Sequence, residues 1–279
     1  MFLPGAVYLF INCYIPMFGI QIAFRNYKAN MGVYGSPWCG LDNFKFLTRT
    51  KDAWIMIRNT VLYNLVFIIL GTILAVATAI ILNDIRSKKG KQLYQTIILI
   101  PFLISMVIVS YLAFAFLSTS NGYINNTLVK LFGITAIDWY NNPKYWPVIL
   151  VLINIWKNLG YNIVLWMAGL TAIPDTLYEA ARADGAGNLQ CFIYITMPSL
   201  LPTLFTTSVL AFLNSFKVFR EAYLVAGDYP HESMYMLQHL FNNWFRELSI
   251  DKMSAGAVVT ALMIMVLILS LQRAWDRED

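Results

Sequence analysis

Glu179-Ala180-Ala181-Arg182-Ala183-Asp184-Gly185, with Ile195, Met197 and Pro198 ten to thirteen residues further on, is a polar, helix-forming stretch set between two strongly apolar segments. Leu177 to Ala183 consists of good helix formers, and Asp175 or Thr176, after Pro174, is the expected N-cap. Gly185 and Gly187 interrupt that helix. A second helical stretch, Leu189 to Ile195, leads on to Pro198. The predicted shape is helix, glycine bend, helix. Gly185 permits a sharp turn or a close backbone approach. Small Ala180 and Ala181 let the short helix lie close against a partner surface, and Glu179 is placed to pair with a basic group or cap a helix end.

The flanking segments decide the fold class. Of the 279 residues, 58% are hydrophobic and only 13% charged, with a mean hydropathy of +0.59. A water-soluble domain carries about 25% charged residues. A bilayer core needs roughly 20 apolar helical residues, and six segments qualify: 2–24, 59–82, 93–117, 145–170, 199–223 and 253–272. Backbone in lipid must satisfy its own hydrogen bonds, so these spans are helices. The expectation is an all-α integral membrane protein with one transmembrane domain over 1–279 and a polar loop at 171–198. The first segment lacks the basic start and small-residue cleavage site of a signal peptide and reads as a retained helix. Asn121 to Lys144 carries turn signals around the apolar stretch Leu128 to Phe132, which predicts an ordered outer loop with a small interfacial helix. Trp139, Tyr140, Tyr145 and Trp146 fit an aromatic belt at the membrane surface.

The net charge of +5 does not point to nucleic acid. Its densest cluster, Arg86, Lys88, Lys89 and Lys91, lies between two apolar segments and suits a cytoplasmic loop beside anionic lipid. Cys13, Cys39 and Cys191 have no metal spacing and no expected disulfide pairing. His231 and His239 read as ordinary polar residues of an outer loop. No catalytic set and no metal site is expected.

The spacing of the opening stretch resembles the E-A-A-x3-G-x9-I-x-L-P loop of ABC importer permeases, with Met197 in place of Leu. Other segments extend the resemblance over essentially the whole chain to the carbohydrate-uptake, maltose-type class, closest to permeases for oligosaccharides, including uronate-containing ones. They are Leu3-Pro4, Gly40-Leu41-Asp42-Asn43-Phe44, Pro101 and Asn214-Ser215-Phe216-Lys217-Val218-Phe219. The Gly-Gly-Pro outer turn of many relatives reads Ala226-Gly227-Asp228-Tyr229-Pro230 here.

The resemblance implies a type I importer permease fold in a bacterial-type cell membrane, with a cytoplasmic coupling loop. The implied partners are a second, homologous permease, two ATP-binding cassette subunits, an extracellular solute-binding lipoprotein and a sugar. ATP and Mg would be held by the partner subunits, with no cofactor on this chain; Gly90-Lys91-Gln92 lacks the Gly and Ser/Thr of a phosphate-binding loop. Glu179, Ala180, Ala181, Asp184, Gly185 and Pro198 become the ATPase-coupling residues. Related permeases usually open with a basic segment, so residues before Met1 are expected to be missing. With the loop cytoplasmic, the inner side holds seven Lys/Arg and the outer side ten, opposite to a simple positive-inside tally. The density of the 86–91 cluster favours the cytoplasmic placement.

Polar residues inside spans are candidate substrate contacts. In the fourth span Asn154, Asn158, Tyr161 and Asn162 share one helical face, bordered by Lys157 about twelve residues into the span. In the fifth, Asn214, Lys217 and Glu221 share a face beside Arg220. Phe216, Phe219, Trp156 and Trp166 supply aromatic surface. Two readings stand for the fourth-span stripe: sugar contacts, or bonds between neighbouring helices. Lys217, Arg220 and Glu221 equally suit snorkelling or an ion pair near the outer surface. Lys157, at the midplane, calls for a carboxylate, a water-filled cavity or an anionic substrate, and with Lys217 suggests an acidic oligosaccharide. A non-sugar cargo, a secondary transporter, an intramembrane enzyme and a structural scaffold are the competing classes.

Overall fold

The computed structural model describes residues 2–49, 51–85, 87–133, 135–215 and 232–275. Among them there is no strand, only an isolated bridge between Arg25 and Trp38. Four helices are long and apolar enough to cross a membrane: Phe2–Phe24 (α1), Ala53–Asn83 within the longer helix Lys51–Asn83 (α3), Trp146–Thr171 (α7), and Ile250–Ser270 within Ile250–Trp275 (α12). Two bent pairs raise the number to six. Lys88–Leu103 (α4) and Met106–Leu117 (α5) meet at 94°, and Asn188–Ser199 (α9) and Leu201–Ala211, within Leu201–Ser215 (α10), meet at 53°. Short helices lie between them: Asp42–Arg49 (α2), Tyr123–Phe132 (α6), Asp175–Ala183 (α8) and Leu237–Arg246 (α11).

The third span departs from the straight helix expected over 93–117. Pro101 lies in the last turn of α4, and at Ile104 and Ser105 the backbone turns extended. Ser105 then starts a new helix, its hydroxyl accepting from the Ile108 N–H. The fifth apolar region also differs: helix begins at Asn188, inside the expected loop, and bends at Leu200 before α10. A second local pattern recurs at two prolines. π-Turns at Phe10–Tyr14 and Phe192–Thr196 each end two residues before a proline, Pro16 and Pro198. The extra residue in a π-turn shifts the carbonyl that the ring would otherwise strike.

The described residues of Met1–Thr60 and Tyr235–Arg273 form one compact unit, and those of Val61–Met234 form another. In the first, the chain folds back on the end of α1. Arg25 Nη1 donates to the carbonyls of Tyr34 and Ser36, at 2.9 Å each, and its guanidinium lies over Trp38. Asn43 Nδ2 donates to the carbonyls of Ala23 (3.0 Å) and Arg25 (2.9 Å), while Phe44 and Trp38 pack on Phe24. The Gly40–Phe44 segment is therefore a staple on a helix end. α11 crosses α12 at Gly256, where an added Cβ would sit 2.3 Å from Phe241 and 2.9 Å from Trp244. His239 is buried in α11, and its Nδ1 accepts the Met236 N–H at 3.0 Å. Burial pushes its pKa down to about 4. It is thus a core residue closing a helix start; His231 lies outside the described residues.

In the second unit, Ala75, Ala79 and Leu82 of α3 pack with Ile163, Trp166, Met167 and Leu170 of α7, together with Ile173 and Leu200. Small Ala75 and Ala79 on α3 leave room for the larger side chains of α7. The segment 121–144 is ordered around buried Asn125, which donates to the carbonyls of Ser118 and Ile137 and accepts from the Ile137 N–H and the Trp139 indole. Its helix, α6, starts five residues earlier than the apolar stretch suggested and ends at Gly133, whose φ is 64°.

Candidate functional site

The polar loop forms as helix, bend, helix. The first helix starts at Asp175 with Pro174 as its N-cap, so Asp175 and Thr176 lie inside the first turn instead of capping it. Asp175 there still complements the positive helix end. At the far end the chain closes on itself. The Gly185 N–H donates to the Arg182 carbonyl at 3.1 Å, and the Ala186 N–H donates to the Ala181 carbonyl at 2.9 Å. This pairing requires a left-handed residue at the bend. Gly185 supplies it with a φ of 85°, and nothing lies within 4 Å of where its Cβ would stand. The glycine serves backbone conformation, not close approach. α9 then starts with the Gln190 Oε1 accepting from the Gly187 N–H at 2.8 Å.

The loop is anchored on one side and open on the other. Tyr178 and Ile195 pack against the core formed by α3 and α7, and the Tyr178 hydroxyl lies 2.9 Å from Thr196 Oγ1. Glu179, Ala180, Arg182, Asp184 and Gly185 are exposed, Ala181 is half-buried, and Pro198 is exposed beyond its π-turn. Leu177, 47% exposed, and Leu189, 70% exposed, add apolar surface to the open side. The short helix therefore turns small, charged and apolar side chains outward while Tyr178 holds it on the α3–α7 core.

The fourth-span stripe has a different geometry from a lined groove. Asn154 is buried, and its carbonyl accepts from Asn158 Nδ2 at 2.9 Å. Asn162 lies near Gly71 of α3, 3.8 Å from where a Cβ there would stand. Tyr161 stacks on Phe102 of α4, ring centroids 4.9 Å apart and planes 15° from parallel. Lys157 Nζ donates to the carbonyls of Ile104 (2.6 Å), Phe102 (3.2 Å) and Pro101 (3.3 Å). Backbone carbonyls are a partner for a midplane lysine that the sequence reasoning did not weigh. Trp166 is a core residue, whereas Trp156 is 45% exposed. Asn214 lies in α10; Phe216, Lys217, Phe219, Arg220 and Glu221 lie outside the described residues.

One polar set escaped the sequence reading. Asn59, Thr60, Tyr63 and Asn64 share a face of α3, and all four are buried. Asn59 Nδ2 donates to the Tyr235 carbonyl, and the Tyr63 hydroxyl donates to the Ser233 carbonyl, both at 3.0 Å. Their offsets of zero, one, four and five within an apolar span were the available signal.

Comparison with known proteins agrees with this architecture. Residues 68–277 match the family model described as binding-protein-dependent transport system inner membrane component. The chain is 32% identical to the polygalacturonan/rhamnogalacturonan transport system permease protein YteP of Bacillus subtilis (strain 168), over 81% of this chain and 70% of that one. It is 29% identical to the trehalose/maltose transport system permease protein MalF of Thermococcus litoralis, over 82% and 77% of the two chains. A chain in the crystal structure of a bacterial ABC transporter that imports the acidic polysaccharide alginate superposes with a TM-score of 0.88 at 28% identity, covering 99% of this chain and 94% of that one. These relatives are permeases, multi-pass membrane subunits and not enzymes. The helical architecture, the polar loop and these matches place the chain in the family of binding-protein-dependent transport system inner membrane components.

Proposed function

We propose that this chain is one of two permease subunits of an ATP-driven importer and that its cargo is an oligosaccharide containing acidic sugar units. The observation that carries the reading is the near full-length similarity to a chain of an alginate importer, joined by a relative named for polygalacturonan and rhamnogalacturonan transport. Alginate and polygalacturonan are both polyuronates.

Two ATP-binding subunits hold ATP and Mg between them, and one of the two docks on the exposed side of α8. Their closure moves α8 as a lever through Tyr178, Ile195 and the α3–α7 core, and the helices open outward to take sugar from an extracellular binding protein. Glu179, Ala180, Ala181, Asp184, Gly185 and Pro198 serve this coupling. Asn154, Asn158, Tyr161, Asn162, Asn214, Phe216, Lys217, Arg220 and Glu221 are the candidates along the cargo path. Lys217 is the first choice for a sugar carboxylate, because the Lys157 ammonium sits on backbone oxygens.

The test is ATPase activity of the reconstituted assembly with its binding protein and matched neutral and uronate oligosaccharides. Stimulation by a uronate oligosaccharide above its neutral counterpart is expected. Stimulation by neutral sugar alone would overturn the acidic cargo, and no stimulation by any sugar would overturn the sugar reading.

A further inference from the structure

We infer that Lys157 is a positioning residue that holds the break in the third span, and that Gly160 and Tyr161 complete the clamp. The break at Ile104 and Ser105 leaves the Phe102 and Ile104 carbonyls without the N–H groups that a continuous helix would offer, while the Pro101 carbonyl keeps the Ile104 N–H at 3.3 Å. Within a bilayer such groups must be satisfied by protein. The end of a helix also carries partial negative charge, which an ammonium complements. Lys157 supplies that ammonium from α7, its Nζ donating to the carbonyls of Pro101, Phe102 and Ile104.

Two neighbours on the same face make the reach possible. An added Cβ at Gly160 would stand 2.3 Å from the Ile98 carbonyl oxygen and 2.7 Å from the Leu99 Cα, so the glycine brings the backbones of α7 and α4 together one turn from the lysine. Tyr161 stacks on Phe102, whose carbonyl Lys157 holds and whose ring the ammonium approaches to 5.9 Å. Positions i, i+3 and i+4 of a helix lie on one face. Charge, close approach and ring stacking therefore act on a single point, the last turn of α4. The 94° bend between α4 and α5 is the geometry they fix.

This role goes beyond the transport reading and is separable from it. Spin labels at Leu93 on α4 and Tyr111 on α5, both exposed, report the bend as a distance distribution in the reconstituted assembly, with the three native cysteines replaced. Lys157→Met is expected to broaden or shift that distribution and to lower sugar-stimulated ATPase by tenfold or more, in the same proportion for neutral and uronate oligosaccharides. Lys157→Arg, which keeps a donor cation at the carbonyls, is expected to restore both.

A wild-type distance distribution in Lys157→Met, or a loss confined to acidic cargo, would overturn the clamp. Should Lys157→Met fail to accumulate, Tyr161→Leu gives a milder test. It is expected to broaden the same distribution, and an unchanged distribution would count against the clamp. Failure of any sugar to stimulate the wild type would defeat the transport reading while leaving the label distances to decide the clamp.

Discussion

The end of α8 and the end of α4 are both interrupted helices, and they are closed in opposite ways. α8 closes from within: Gly185 adopts a left-handed φ and the next N–H groups return to carbonyls three to five residues back. α4 has one local closure, the Ile104 N–H on the Pro101 carbonyl, and its remaining end oxygens are held from outside, by an ammonium 53 to 56 residues further along the chain. The difference follows from where each end lies. The α8 loop is exposed, so its remaining polar groups have water or a partner surface. The α4 end interrupts an apolar span, where its oxygens need a protein donor. A locally closed end can move as a unit on its anchor, which suits a lever. A remotely closed end ties two spans together.

The largest effect is expected from opening the remote closure. Gly160→Ala sets a Cβ against the α4 backbone, which cannot yield as a flexible side chain would, at a cost of about 1–3 kcal/mol or more. Reduced yield of assembled complex and a lower thermal midpoint are expected. A wild-type midpoint would break the contrast.

The next effect tests another locally closed end. Nδ1 of buried His239 accepts the Met236 N–H at the start of α11, and its pKa is about 4 against an ordinary 6.5. The unfolded chain therefore binds more protons between these values. The stabilisation is full above about 6.5 and is lost as pH falls toward 4, by at most about 1.4 kcal/mol per unit. The thermal midpoint of the wild type is expected to drop more from pH 7 to pH 5 than that of His239→Gln, which keeps an acceptor without the titration. Equal drops would remove His239 from the picture.

The smallest effect is expected at the lever itself. Gly185→Ala forces a Cβ into the left-handed region at a cost of about 1–2 kcal/mol, and Gly185→Asn costs less because asparagine visits that region more readily. Sugar-stimulated ATPase ranked wild type, Asn, Ala is expected, with assembly intact. The reverse order would mean that the bend is not set by φ.

The same contrast explains what was legible in the sequence. The helix–bend–helix shape of the polar loop was readable because its determinants are adjacent: helix formers, then glycine, then helix formers. Its N-cap was misread because Pro174 itself takes the extended capping position. The first, second, fourth and sixth apolar segments lie close to the four long helices. The break of the third span was not legible, although Pro101 was noted, because the stabilising Lys157 is remote and a lysine among asparagines reads first as a ligand for cargo. The Gly40–Phe44 segment carried a family resemblance without revealing its work, since the carbonyls that Asn43 holds lie at and just past the end of the preceding span. The buried polar face of α3 was visible as a pattern, but its carbonyl partners at Ser233 and Tyr235 lie some 170 residues away.

The central claim, that the exposed side of α8 receives force from an ATP-hydrolysing partner, is tested most directly by sugar-stimulated ATPase in a Glu179→Ala, Gly185→Ala double variant. The reconstituted assembly, with its binding protein and the most effective oligosaccharide, is compared with wild type. An assembled complex whose basal ATPase persists while stimulation by the loaded binding protein is lost is the expected result. Wild-type stimulation in the double variant would contradict the assignment of this loop as the coupling element.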